Sequence, residues 1–126
     1  MSKTVIHTDN APAAIGPYSQ AIKANGMLFV SGQIPINPAT GKIEATDIVG
    51  QTKQVFNNLK NIITAAGGDM SSIVKTTVYL QDIKDFTAMN EVYATFFTSD
   101  YPARVAVEIA KLPKGALVEV DAFCVL

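Results

Sequence analysis

Two residues in this 126-residue chain are of types that could do chemistry, Arg104 as a fork for a carboxylate and Glu119 as a carboxylate in its own right. Arg104 lies in Tyr101-Pro-Ala-Arg-Val-Ala-Val-Glu-Ile-Ala-Lys-Leu-Pro113. The stretch reads as a β-strand bracketed by Pro102 and Pro113, because proline cannot donate to a sheet ladder. Alternation gives Val105, Val107 and Ile109 one side, which belongs against a core, and Arg104, Ala106 and Glu108 the other. The small Ala106 leaves room over the backbone, and a guanidinium beside that room is a fork for a carboxylate. The plainer alternative is an edge-strand arginine paired with a surface glutamate. Glu119 stands near the start of a last strand, Leu117–Leu126, which a Lys114-Gly115 turn joins to the first. On parity it is a sheet-surface charge. A tight hairpin would leave Arg104 and Glu119 at opposite ends, so within one chain they need not touch. Glu119 gains a role only where a neighbouring subunit brings a second copy of that face close.

Other chemistries lack their residues. There is no glycine-rich phosphate loop and no metal-ligand spacing, and a single histidine, His7, gives no zinc pair or readable triad. His7 reads as structural or incidental, and Cys124 as a packed small hydrophobe on a core-facing position. Ten basic residues against eleven acidic ones, with pI near 5.7, leave no electrostatic footprint for nucleic acid. No lysine/arginine run would hold the chain to a membrane. MSKTVIHTDN has no apolar leader core, and no later run reaches the length of a membrane span. One cysteine excludes an intrachain disulfide and suggests a reducing compartment, so a soluble cytoplasmic protein is expected. Hydrophobic residues make up 48%, with mean hydropathy +0.23, which suggests apolar surface hidden in an oligomer.

The elements that must position Arg104 and Glu119 follow from periodicity. Residues 1–17 hold a β-like piece around Thr4–His7 and a loop stiffened by Pro12, Gly16 and Pro17. Tyr18–Ala24 and Met27–Ile34 read as strands around Asn25-Gly26, a strong hairpin signal. Gly32, near the end of the second, lets another group approach the backbone. Residues 35–46 are polar and turn-rich, a loop. Asp47 caps a helix running to about Ala66, with Ile48, Thr52, Val55, Phe56, Leu59, Ile62, Ile63 and Ala66 on one stripe and Gly67-Gly68 ending it. Ser72–Leu80 is a β-branched strand. A second helix, about Asp85–Thr98, buries Phe86, Met89, Tyr93, Phe96 and Phe97, and the two C-terminal strands follow. The order β-β-α-β-α-β-β predicts one α+β domain over residues 1–126, two layers, with one mixed sheet and both helices on one face. On the last strand Val118, Val120, Ala122, Cys124 and Leu126 suit the helix-covered face. Glu119, Asp121, Phe123 and Val125 suit a face partly packed against a neighbouring subunit.

The segments Ala11-Pro-Ala-Ala-Ile-Gly-Pro-Tyr-Ser-Gln20, Ser31-Gly-Gln-Ile-Pro35, Val74-Lys-Thr-Thr-Val78, Asn90-Glu-Val-Tyr93, Pro102-Ala-Arg104 and Lys111-Leu-Pro-Lys114 together resemble the RidA/YjgF family in order and spacing. The resemblance spans nearly the whole chain. It implies a chorismate-mutase-like α+β fold assembled as a homotrimer with clefts between subunits. It also implies deamination of reactive 2-enamino and 2-imino acids, such as 2-iminobutanoate and 2-iminopropanoate, to 2-oxo acids and ammonia. Carried over by position, Arg104 matches the residue gripping the substrate carboxylate, with help from the backbone N–H groups of Gly32 and Ala106. Glu119 matches the acid that orients or activates water, Tyr18 a cleft tyrosine, and Ser31 and Asn90 polar residues in or near the cleft. Ala106 departs from the cysteine of many bacterial relatives; a backbone role survives that change and a thiol role does not. No metal or organic cofactor is implied. The same family resemblance leaves two other readings open, a non-catalytic regulatory trimer that senses 2-oxo or amino acids and an RNA-directed ribonuclease or translation inhibitor. The acidic balance and lack of a base-stacking surface disfavour the second.

Overall fold

A computed structural model describes residues 2–126. Its long helix, α1 (Ile48–Ala65), begins where Asp47 accepts a hydrogen bond from Gly50 N–H at 2.8 Å. That bond satisfies an amide with no partner inside the helix. The helix ends in a glycine cap, with Gly67 N–H bonded to Thr64 O and Gly68 N–H to Ile63 O, both at 3.0 Å. Gly67 takes φ 90°, a conformation costly for residues with a β-carbon. The expected stripe from Ile48 to Ala66 is buried throughout. Each large aliphatic side chain so placed contributes roughly 1.5–3 kcal/mol.

The strands, in chain order, are β1 (Thr4–Ile6), β2 (Ala21–Ala24), β3 (Met27–Gln33), β4 (Ile36–Asn37), β5 (Lys42–Ile43), β6 (Ile73–Leu80), β7 (Ala103–Glu108) and β8 (Val118–Val125). Six form one sheet in the order β1-β2-β3-β8-β6-β7, antiparallel except for the parallel pair β6–β7. Helix α2 (Phe86–Thr95) connects that parallel pair. Both helices pack on one face, over the fully buried Leu28, Val78, Leu80, Val118, Val120, Ala122 and Cys124. The α+β two-layer architecture is therefore as expected. Asn25 and Gly26, with φ 53° and 73°, make the predicted turn between β2 and β3. No helix among the described residues is long and apolar enough to cross a membrane.

The structure corrects the sequence reading at several points. β7 and β8 are not a hairpin, since β6 lies between them. Residues 109–117 are too many for a tight turn, and Gln81 holds them by donating to Ala110 O and accepting from Leu112 N–H. The faces of β7 are also reversed. Arg104 and Ala106 lie under α2, whereas Val105 and Val107 are 43% and 38% exposed on the open face. Aromatic rings on α2 accept the guanidinium from above, so its charge needs no water-facing side. Residues 35–46 contain the two-stranded ribbon β4–β5 rather than loop alone. The second strand begins at Ala21, which leaves Tyr18 in the preceding loop, and the strand carrying Arg104 ends at Glu108. Helix α2 is shorter than expected at both ends, and Leu126, expected on the helix-covered face, is 38% exposed because β8 ends at Val125.

Candidate functional site

Arg104 is held from three sides. Its Nη1 donates to Asn90 Oδ1 at 2.6 Å, and its Cζ stands 4.7 Å from the centre of the Tyr93 ring and 5.4 Å from that of Phe86. Asn90, Tyr93 and Phe86 all belong to α2, at the spacing that shares one helix face. Tyr93 is fixed in turn, its hydroxyl 2.9 Å from Oγ1 of the buried Thr76. Thr76 is the residue opposite Arg104 in the β6–β7 register. The one ion pair among the described residues is His7–Asp9, so no carboxylate neutralises Arg104. Beside the guanidinium opens a cavity of about 530 Å³ lined by Asn90, Tyr93, Ala94, Tyr101, Pro102 and Arg104. An arginine oriented by an amide and two rings, next to space, is prepared for an incoming anion.

β7 is the outermost strand, and its free edge adds donors. Ile109 N–H bonds to Leu80 O at 2.9 Å, so odd-numbered residues of β7 bond to β6. By alternation the N–H groups of Arg104 and Ala106 point away from the sheet. The backbone role implied for Ala106 therefore has a donor available, independent of its side chain.

Glu119 occupies a different place. It lies on the open face of β8, across from Tyr79 on β6. Its carboxylate rests over the backbone of Gly32, where the β3–β8 register slips between Val30 and Gln33. A β-carbon built on Gly32 would stand 3.0 Å from Glu119 Cδ and nearer still to Oε2, so this bulge seats the acid only because position 32 has no side chain. Burial chiefly, and the neighbouring Asp121 carboxylate secondarily, raise the Glu119 pKa above its ordinary value. Tyr79 OH donates to Asp121 Oδ2 at 3.2 Å. Glu119, Gly32 and Tyr18 line one cavity of about 310 Å³, completed by apolar residues such as Ile15, Ile34 and Pro113 and by Lys114. A third hollow, about 550 Å³ near Lys60 and Asp100, contains none of the predicted residues.

The structure thus gathers the predicted residues into two groups. Arg104, Asn90 and Ala106 form one; Tyr18, Gly32 and Glu119 form the other. Ser31 adjoins the second group, its Oγ donating to Ser19 O at 2.6 Å. In register, Arg104 is level with Ala122, whereas Glu119 is level with Val107. Two strand spacings and three residue rises put their Cα atoms roughly 14 Å apart, with side chains on opposite faces. His7 is exposed and hydrogen-bonded to Asp9, and Cys124 is fully buried with its thiol pKa raised by burial to about 11. Asp121, Tyr79, Tyr93 and Phe86 went unassigned to the site. For Asp121 a signal existed, since carboxylates at i and i+2 of a strand share a face.

Residues 8–126 match the family model described as Endoribonuclease L-PSP. A RutC family protein of Pyrococcus horikoshii is 57% identical over 120 residues, 95% of each chain. The 2-iminobutanoate/2-iminopropanoate deaminase of Escherichia coli K12 is 48% identical, covering 99% of this chain and 98% of that one. The crystal structure of YyfA, a protein of the conserved Rid family from Yersinia pestis, matches with TM-score 0.97 and 48% identity over 99% of this chain and 100% of that one. On sequence and fold together, this chain belongs to the RidA/YjgF family.

Proposed function

We propose that this chain is a deaminase that hydrolyses 2-imino and 2-enamino acids, with 2-iminobutanoate and 2-iminopropanoate in scope, to 2-oxo acids and ammonia. The observation that carries the reading is Arg104, oriented by Asn90 and two rings, without a carboxylate partner, at the wall of a cavity. The name of the 48% identical Escherichia coli relative supports the same reaction. The guanidinium grips the substrate carboxylate, and the outward N–H of Ala106 adds a donor, as does the backbone N–H of Gly32 from the other half-site. Glu119 takes a proton from water as its oxygen bonds to the imine carbon. That proton passes to nitrogen to give the carbinolamine; Glu119 then moves the hydroxyl proton to the amine as C=O forms, and the C–N bond breaks to release ammonia. Tyr18 closes the cavity over the reacting carbon.

An imine carbon is already electrophilic, so the site must position more than activate. Fixing both reactants is worth several kcal/mol, and a glutamate base typically adds about 10²–10⁴-fold. The two half-sites stand on opposite faces of one chain, so a working site takes Arg104 from one copy and Glu119 from another. The open face that presents Phe29, Val105, Val107, Phe123 and Val125 supplies apolar surface for such an assembly. A homotrimer with three equivalent clefts closes this heterologous contact.

The test follows ammonia and 2-oxobutanoate while a threonine dehydratase generates imine in situ. The native protein should accelerate imine loss, and Arg104→Ala should not. Equal rates for the two would end the deaminase reading.

A further inference from the structure

Ser31 sits between the two elements that build the Glu119 half-site. It immediately precedes Gly32, over whose backbone the Glu119 carboxylate rests. Its side chain is already committed, with Oγ donating to Ser19 O at 2.6 Å, and its amide donates to Gln20 O at 3.0 Å. Both acceptors belong to the segment directly after Tyr18. Gln20, almost fully buried, extends the same attachment. Its Nε2 donates to Thr8 O at 3.0 Å and Pro12 O at 2.9 Å, while Oε1 accepts from Thr8 N–H at 2.8 Å. Tyr18 itself is 54% exposed, with its ring so near Gly16 that a β-carbon built there would lie 3.7 Å from it. The tyrosine's position is set by the chain on both sides: its own amide donates to Gly16 O at 2.9 Å, and the chain that follows it is fastened at Ser31.

We propose that Ser31 is a positioning residue: its hydroxyl fastens the Tyr18 loop to the Gly32 bulge and so sets Tyr18 relative to Glu119. Gln20 fastens the far end of the same loop. The proposal deepens the deaminase reading and rests on it for its kinetic consequence, while the fastening itself is a property of the fold. A hydroxyl whose proton is spent on a carbonyl acts through the loop and not as a substrate donor.

The experiment combines a double-mutant cycle with amide hydrogen exchange. Ser31→Ala, Tyr18→Ala and the double variant are compared on in situ generated imine, and exchange is measured on residues 16–21 of the wild type and Ser31→Ala. Ser31→Ala should lower kcat roughly 5- to 10-fold with little change in KM, the effect of one lost hydrogen bond at a positioned group. In the Tyr18→Ala background the same change should cost less than about 2-fold, because the residue it positions is gone. Amides of residues 16–21 should exchange at least about 5-fold faster in Ser31→Ala. Full additivity in the cycle, or unchanged exchange over residues 16–21, overturns the proposal. A wild type without imine hydrolysis would refute the deaminase reading instead, and the exchange arm would still decide whether Ser31 fastens the loop.

Discussion

Arg104 and Glu119 project from opposite faces of the same sheet, two strands and three residues apart. No side-chain motion brings them onto one small substrate within a single chain. Under the proposed reading, the pair acts together only if each contributes to a site shared with another copy.

For the anion grip, Arg104→Ala should lower kcat/KM by at least about 10², the scale of losing a charge-assisted fork. Arg104→Lys should not restore it, because a point charge cannot keep both the Asn90 bond and a bidentate carboxylate. Asn90→Ala should cost less, roughly 10-fold, mainly through KM, since it frees the guanidinium without removing it. Steady-state kinetics on the three variants decides the order, and an Asn90→Ala loss equal to that of Arg104→Ala would count against a gripping role for the arginine.

Glu119→Gln should lower turnover about 10²–10⁴-fold while keeping affinity for a 2-oxo acid product. The same variant should be more heat-stable than the wild type at pH 7. Burial and Asp121 raise the folded pKa of Glu119, so the folded chain holds this proton more tightly than the unfolded chain does. Stability from this group is therefore lost as pH rises through the window between the ordinary carboxylate value and the raised one, and an amide never incurs that loss. Thermal denaturation of both proteins at pH 7 checks the sign; a less stable variant would mean that the charge is compensated by a partner.

The value of kcat/KM should rise with pH through the raised Glu119 pKa and then level off, because the base must be ionised to accept a proton. Asp121→Asn removes the secondary cause of the shift and should move the midpoint to lower pH. Burial, the larger cause, remains, so the midpoint should stay above that of an ordinary carboxylate. A kcat/KM–pH profile for each protein, which reads the groups of the free enzyme, checks this, and a midpoint unmoved by Asp121→Asn would remove that residue from the account.

Gly32→Ala should damage activity far more than folding. The added β-carbon meets the flexible end of the Glu119 side chain, which can swing aside, so stability should change by only about 1 kcal/mol. A base displaced by about 1 Å can cost as much as 10²-fold in rate. Urea denaturation beside turnover separates the two effects, and a variant with native turnover would show that the seat on Gly32 is irrelevant.

Periodicity carried most of the fold. The α1 stripe, the Asp47 cap, the Asn25-Gly26 turn and the alternation of β8 are local signals, and the structure keeps each of them. The pairing of β7 with β6 was beyond reach, because a parallel partner is chosen by the α2 connection and not by either strand's own residues. The reversal of the β7 faces has a similar cause. Val105 and Val107 look like core residues until α2 supplies Tyr93 and Phe86 to cover the arginine side. Arg104 and Glu119 were identifiable by type, and the motifs around them assigned roles. Their separation across the sheet depended on register, and so did the seat of Glu119 on a bulge at Gly32.

The shared-site claim is tested most directly by complementation between two inactive variants. Arg104→Ala and Glu119→Gln chains are co-refolded at equal ratio, and imine hydrolysis is compared with that of each variant alone and of the wild type. If a site takes Arg104 from one copy and Glu119 from the next, random assembly gives both intact residues to about one quarter of the sites, so about a quarter of wild-type activity should return. Activity no greater than that of the separate variants, from mixed assemblies verified by mass, would contradict the account.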